Sequence, residues 1–124
     1  MEVGVYCLNV GQANCLAVLD PVPGGPPGAY QAALIDVGVD GHRLAEWLRD
    51  AGVRRILLIA LTHNDEDHIL GLTDVVQAYR KRVEQLLFVP DCPTGGLPYR
   101  GMLRRGPRAL PGIRTGTWFK SYER

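Results

Sequence analysis

Two histidines and three carboxylates fall within six consecutive residues, His63-Asn64-Asp65-Glu66-Asp67-His68. Imidazole nitrogens together with carboxylate oxygens form a donor set for a divalent metal such as zinc, manganese or iron. Immediately upstream lies Ile56-Leu57-Leu58-Ile59-Ala60-Leu61, a solid apolar run that reads as a buried strand. The chain therefore leaves a sheet and at once presents its donors at a strand's C-terminal end, where helix-covered sheets bind ligands. On one continuous helix, the spacing of His63 and His68 would splay them by more than a right angle. On a loop between strand and helix the same side chains converge, around one metal or a close pair. A metal there lowers the pKa of a bound water and polarises a carbonyl or phosphoryl oxygen. The bland alternative is that Asp, Glu and Asn before a helix act as caps and a lone His is an ordinary surface or core residue. Two histidines with alternating acids after a buried strand weigh against it.

The elements that must position this cluster follow from patterning. Val3 to Val10 and Asn14 to Leu19 read as two strands of a hairpin, turned at Gly11-Gln12. Asp20 to Gly28, rich in Pro and Gly, is a surface loop or hairpin tip. Ala29 to Asp36 reads as a third strand, closed by Gly38. Asp40 is a helix N-cap, with Leu44, Trp47, Leu48 and Ala51 at helical spacing and Gly52 as the stop. Val53 to Leu61 holds the fourth strand. After the cluster, Leu72, Val75, Val76, Tyr79 and Val83 mark one face of a second helix, with Arg80, Lys81 and Arg82 near its end, where they suit the helix dipole. Carboxylates of the cluster are favoured near the start of that helix by the same dipole. Leu86 to Val89 reads as a fifth strand. The order, a β-meander followed by β-α-β-α-β, implies an α/β (α+β) fold with a mixed β-sheet and two helices.

At 124 residues the chain is one domain or part of one. Its net charge of +1 conceals a split: residues 1–91 hold twelve acids and seven Lys/Arg, while residues 92–124 hold one acid and seven Lys/Arg. We divide the chain into residues 1–92 and a basic Gly/Pro/Arg-rich tail, 93–124, in which apolar periodicity fades and no element is expected. That tail reads as a solvated, poorly ordered end, with phosphates or acidic partners as the alternative. Trp118, Phe119 and Tyr122 form a late aromatic cluster. Cys7, Cys15 and Cys92 contain no CxxC pair, and Cys7 and Cys15 read as buried thiols among strand residues. No n-region, h-region or bilayer-length apolar run is present, so a cytoplasmic location and no membrane partner are expected. His42 reads as a surface or capping residue, Trp47 as core and Glu66 as solvent-facing.

Thr62-His63-x-x-x-Asp67-His68-x-x-Gly71 resembles the HxHxDH signature of the metallo-β-lactamase superfamily. Leu8-Asn9-Val10-Gly11-Gln12-Ala13-Asn14 resembles the "DVGQGD" segment of one branch, which includes the hydrolase domain of DNA-uptake competence channel proteins. Leu34-Ile35-Asp36-Val37-Gly38 resembles the strand-ending "LIDTG" motif. The three stand in family order over roughly residues 3–90. Asp65 replaces the second His of the commonest motif, as it often does in the competence-type branch, which makes the site richer in oxygen. Asn14 replaces the usual acid of the first motif. The resemblance implies the αββα sandwich of that family, with this chain covering about the first half. It implies that His63 and Asp65 bind one metal, that Asp67 and His68 bind a second or Asp67 orients the water as the catalytic residue, and that Asp36 and Asn14 support the site. The implied cofactor is one or two divalent ions, zinc first and manganese as the alternative. The family's later His and Asp ligands have no counterpart after His68.

Three functions follow as expectations. The first is a metal-dependent hydrolase using a metal-bound hydroxide on a small-molecule or phosphodiester substrate. The second is a catalytically inactive truncated remnant, or a half-domain completed by a homo-oligomer or second chain. The third is a nucleic-acid-binding module through the basic tail and its aromatics.

Overall fold

The computed structural model describes residues 3–10, 13–62, 71–88 and 114–117. Three antiparallel strands come first: β1 (Gly4–Val10), β2 (Ala13–Pro21) and β3 (Tyr30–Ile35). Helix α1 (Gly41–Asp50) leads to β4 (Val53–Ala60), and α2 (Leu72–Ala78) leads to β5 (Gln85–Phe88). A sixth strand, β6 (Arg114–Thr117), lies in a stretch where apolar periodicity marks no element. The six form one mixed sheet in sequence order, β3 to β6 running parallel. This is the expected α+β arrangement of a mixed sheet with two helices.

Local chemistry explains the boundaries. The Asp40 carboxylate accepts a hydrogen bond from the Arg43 backbone N–H at 3.0 Å and so caps α1. Leu44, Ala45 and Leu48 turn inward from α1. Gly52 ends it at φ +91°, a left-handed conformation in which a side chain would run into the Gly28 carbonyl. The core these elements enclose includes Leu34, Leu44, Leu48, Ile56, Ile59, Leu72 and Leu86. Tyr79 is fully buried, and its hydroxyl donates to the Val53 carbonyl at 2.9 Å.

The second helix is shorter than its apolar spacing suggests. It stops at Ala78, and Lys81 turns the chain with φ +66°. Val83 is therefore off the helix and forms a bridge with Ile56 instead. The ladder with β4 competes with the helix for these backbone groups: Ile56 N donates to Arg82 O at 2.8 Å, and Glu84 N donates to Ile56 O at 2.9 Å. Arg82 lies in this turn rather than in the helix. It still reaches back, with its guanidinium 4.9 Å from the Tyr79 ring centroid and a hydrogen bond to the Ala78 carbonyl.

The two faces of the sheet differ. Cys15, Ala17, Leu19, Leu34 and Ile59 lie on the helix-covered face and are buried. Leu16, Val18, Ala33, Ile35, Leu58 and Leu87 point the other way and are half-buried. Near the start of β3 that second face turns polar. Gln31 donates to Asp20 at 3.0 Å and accepts from Arg55 at 2.9 and 3.2 Å, while Arg55 stands 3.6 Å from Glu84.

The faces also correct the reading of the cysteines. Cys7 pairs with Leu16 across the ladder, so it sits on the second face of an edge strand and is exposed. Cys15 is buried as expected. Burial, then the Asp36 charge, then Cys7 push the Cys15 thiol from 9.0 up to about 12. Folding thus holds the proton on Cys15, and this contribution to stability is present below pH 9.0 and is lost as pH rises toward about 12. Alkylation of the native chain at pH 8, mapped by mass spectrometry, should label Cys7 and spare Cys15. Equal labelling of the two would contradict the assignment of faces.

Candidate metal centre

β3 and β4 run parallel and finish side by side, with Ile35 opposite Ala60. The next residue, Asp36, keeps one ladder bond, its N–H donating to Ala60 O at 2.8 Å. Its φ of +59° then turns the chain out of the strand. Asp36 is buried at 8% exposure, and Thr62 donates to both of its carboxylate oxygens. Oδ1 accepts from Thr62 N at 2.8 Å and Oδ2 from Thr62 Oγ1 at 2.6 Å. Hydrogen bonds to an ionised acceptor are the strong kind, and two of them fix position as well as distance. Thr62 immediately precedes the cluster, so Asp36 holds the point where the chain leaves the sheet towards it. Leu61 N–H, donating to Leu87 O at 2.8 Å, holds the same exit from the other side.

The loop's return is tied to the same place. Gly71 N–H donates to the Gly38 carbonyl at 2.8 Å. Gly41 packs directly on Gly71: a Cβ on Gly41 would collide with the Gly71 carbonyl and lie 2.6 Å from Asp74 Cβ. A Cβ on Gly71 would lie 2.9 Å from Gly41 N. Thr62 and Gly71, which flank the cluster segment, are therefore both clamped to the stretch from Asp36 to Gly41.

The cluster residues themselves, His63, Asp65, Asp67 and His68, lie outside the described residues, as do Glu66 and Cys92. Asn14 is exposed at the start of β2, opposite Asn9 and two residues from the Leu16–Ile35 pair, so it shares the sheet edge with Asp36 and Thr62. Among the described residues no group of three or more His, Cys, Asp or Glu could hold a metal. What they form is a mount. Its clamps hold a segment whose sequence supplies two imidazoles and two aspartates, donor chemistry that fits a divalent cation. His42 is exposed on α1 and stands 3.8 Å from Asp74. The sequence marks Thr62 as a motif member, yet nothing in it pairs Thr62 with Asp36. The sole hint of the Gly41–Gly71 contact is a glycine at the first position of a helix, where it is a poor helix former.

The model of the metallo-beta-lactamase superfamily matches residues 9–84, and the chain belongs to that superfamily. Its members generally hold divalent metals, usually zinc. Among solved structures, the chain resembles BLEG-1, a B3 metallo-beta-lactamase, with a TM-score of 0.53 and 21% identity over 70% of this chain. That likeness shows the fold, and this chain spans 37% of the length of that one. Among curated proteins none matches. No helix of the described residues is long and apolar enough to cross a membrane.

Two substitutions probe the clamps. Asp36→Ala removes both bonds to Thr62, and a loss of about 2–3 kcal/mol in urea unfolding is expected. An unchanged midpoint would show that the clamp contributes nothing. Gly41→Ala pushes α1 and α2 apart at the loop's return. It should lower zinc affinity at least tenfold, a typical effect of disturbing the groups around metal ligands, while circular dichroism still reports a folded sheet. Wild-type affinity in the folded variant would show that Gly41 does not position the loop.

Proposed function

We propose that this chain is a metal-dependent hydrolase of metallo-β-lactamase type acting on phosphodiesters. The observation that carries the reading is the double clamp, which spends a buried carboxylate on holding Thr62, the residue that precedes the His/Asp segment. In this reading His63 and Asp65 hold one divalent ion, and Asp67 and His68 hold a second. Zinc is the first choice, and manganese suits the oxygen-rich set that Asp65 creates. A bound ion of this kind makes water acidic near neutral pH and polarises a phosphoryl oxygen. Asp67 orients the attacking water and accepts its proton. Asp36 acts through Thr62, and Asn14 supplies an amide at the same edge. The phosphodiester preference rests on the likeness of Leu8–Asn14 to the competence-type segment.

The half-buried apolar residues of the second sheet face favour a second reading, in which the site is completed only when another layer, from a second copy or another chain, covers that face.

Both readings meet one experiment. The metal-stripped chain is reconstituted with zinc or manganese, its metal content and solution mass are determined, and it is assayed on bis(p-nitrophenyl) phosphate. One or two ions per chain with hydrolysis are expected, and His63→Ala or Asp67→Ala should lower turnover by at least about 10³-fold with the fold intact. Full activity in both variants would overturn the assignment. Metal and activity confined to a dimer would favour the completed-face reading.

A further inference from the structure

The sheet end farthest from the clamped loop carries a cleft that hydrolysis does not use. Tyr6 of β1, Tyr30 of β3 and Trp47 of α1 line it, with Leu19, Asp50 and Ala51, and its volume is about 370 Å³. The Tyr6 and Trp47 rings meet at 62° with centroids 5.3 Å apart, forming an angled corner rather than a stack. Tyr6 is 45% exposed, and Trp47 and Tyr30 are half-buried, so the rings wall the cleft without filling it.

The described lining of the cleft carries charge of one sign. Among the described residues no Lys or Arg lines it. Asp50 does, and among the described residues Asp50 forms no ion pair. Helix α1 also ends here, at Asp50, and brings the negative end of its dipole. Arg49, the nearest base along the helix, lines a different groove with His42, Glu46 and Asp74. Aromatic faces carry negative potential and attract a cation within about 6 Å. An aromatic corner beside an unpaired carboxylate and a helix C-terminus suits a cation whose surface is itself apolar.

We propose that this cleft binds a small alkylammonium ligand, its methyl groups against Tyr6, Tyr30 and Trp47 and its charge facing Asp50. Tyr30 opens β3 and Asp36 follows its last residue, so six strand steps, roughly 20 Å, separate Tyr30 from Asp36. The site is independent of the metal reading and stands or falls separately from it.

The test is a titration of the full chain with choline, followed by NMR at the Trp47 indole N–H and the Ala51 and Gly52 amides. 3,3-Dimethylbutan-1-ol, the neutral isostere, serves as the comparison. Saturable choline shifts are expected, with the isostere at least about fivefold weaker. Asp50→Asn should weaken choline about two- to fivefold, and Trp47→Leu should remove the shifts. Should Trp47→Leu fail to fold, Tyr6→Ala on the edge strand gives the same information. Equal binding of the isostere, no saturable shift, or wild-type affinity in Asp50→Asn together with the aromatic variant would overturn the proposal. Added zinc should leave the choline affinity unchanged.

Discussion

The Asp36–Thr62 pair is the constraint on which the rest of the site depends. A buried carboxylate is costly to desolvate, and Asp36 also adopts a left-handed backbone conformation that non-glycine residues seldom hold. Both costs are offset by two short hydrogen bonds to one residue, and a third bond from the Asp36 N–H keeps it in the ladder. An apolar residue at this position would spare the desolvation cost. It would also lose both bonds to Thr62, the residue that precedes the cluster. The carboxylate thus sets position as well as stability. A metal site needs this, because ligand geometry must be held to fractions of an ångström before the ion arrives.

The second clamp works by a different physics. Between Gly71 and Gly38 there is a single neutral backbone bond, and the close approach of Gly41 to Gly71 is permitted by the absence of side chains. The chain before the cluster is therefore held by charge-assisted bonding and the chain after it by shape. Both anchors converge on the six residues from Asp36 to Gly41, which in turn are fixed by β3 on one side and the Asp40-capped helix α1 on the other. The site's rigidity is inherited from two elements whose cores are fully buried.

Much of this was legible from residue order. The strand assignments, the Asp40 cap and the Gly52 stop needed only local rules, since alternation, capping chemistry and a glycine at positive φ act within a few residues. Asp36 was picked out only by the resemblance of Leu34–Gly38 to a family motif. Its partner was not, because Thr62 lies twenty-six residues away and only the parallel pairing of β3 with β4 brings the two together. The over-long second helix failed for the same reason. Val83 has the right spacing for the helix, but Ile56 offers its backbone a ladder bond, and a non-local partner outweighed the local pattern. β6 is the extreme case, a four-residue strand with the sequence Arg-Thr-Gly-Thr that has no apolar alternation of its own and depends on β5 for its partner.

The cysteines show how a sheet's two faces carry separate information. Cys7 and Cys15 look alike in sequence, each set among strand residues, yet they point to opposite faces. One is sealed under the helices, while the other stands among half-buried aliphatic residues. A strand buried on one face only would alternate apolar with polar. β2 and β3 instead place Leu16, Val18, Ala33 and Ile35 on the face away from the helices. Composition of that kind favours removal from water on both sides. The polar set of Asp20, Gln31, Arg55 and Glu84 marks where this apolar area stops, at the end of the sheet away from Asp36. The apolar part of the second face therefore lies nearest the sheet end that carries Asp36 and Thr62, and a layer that covered it would also approach these two residues.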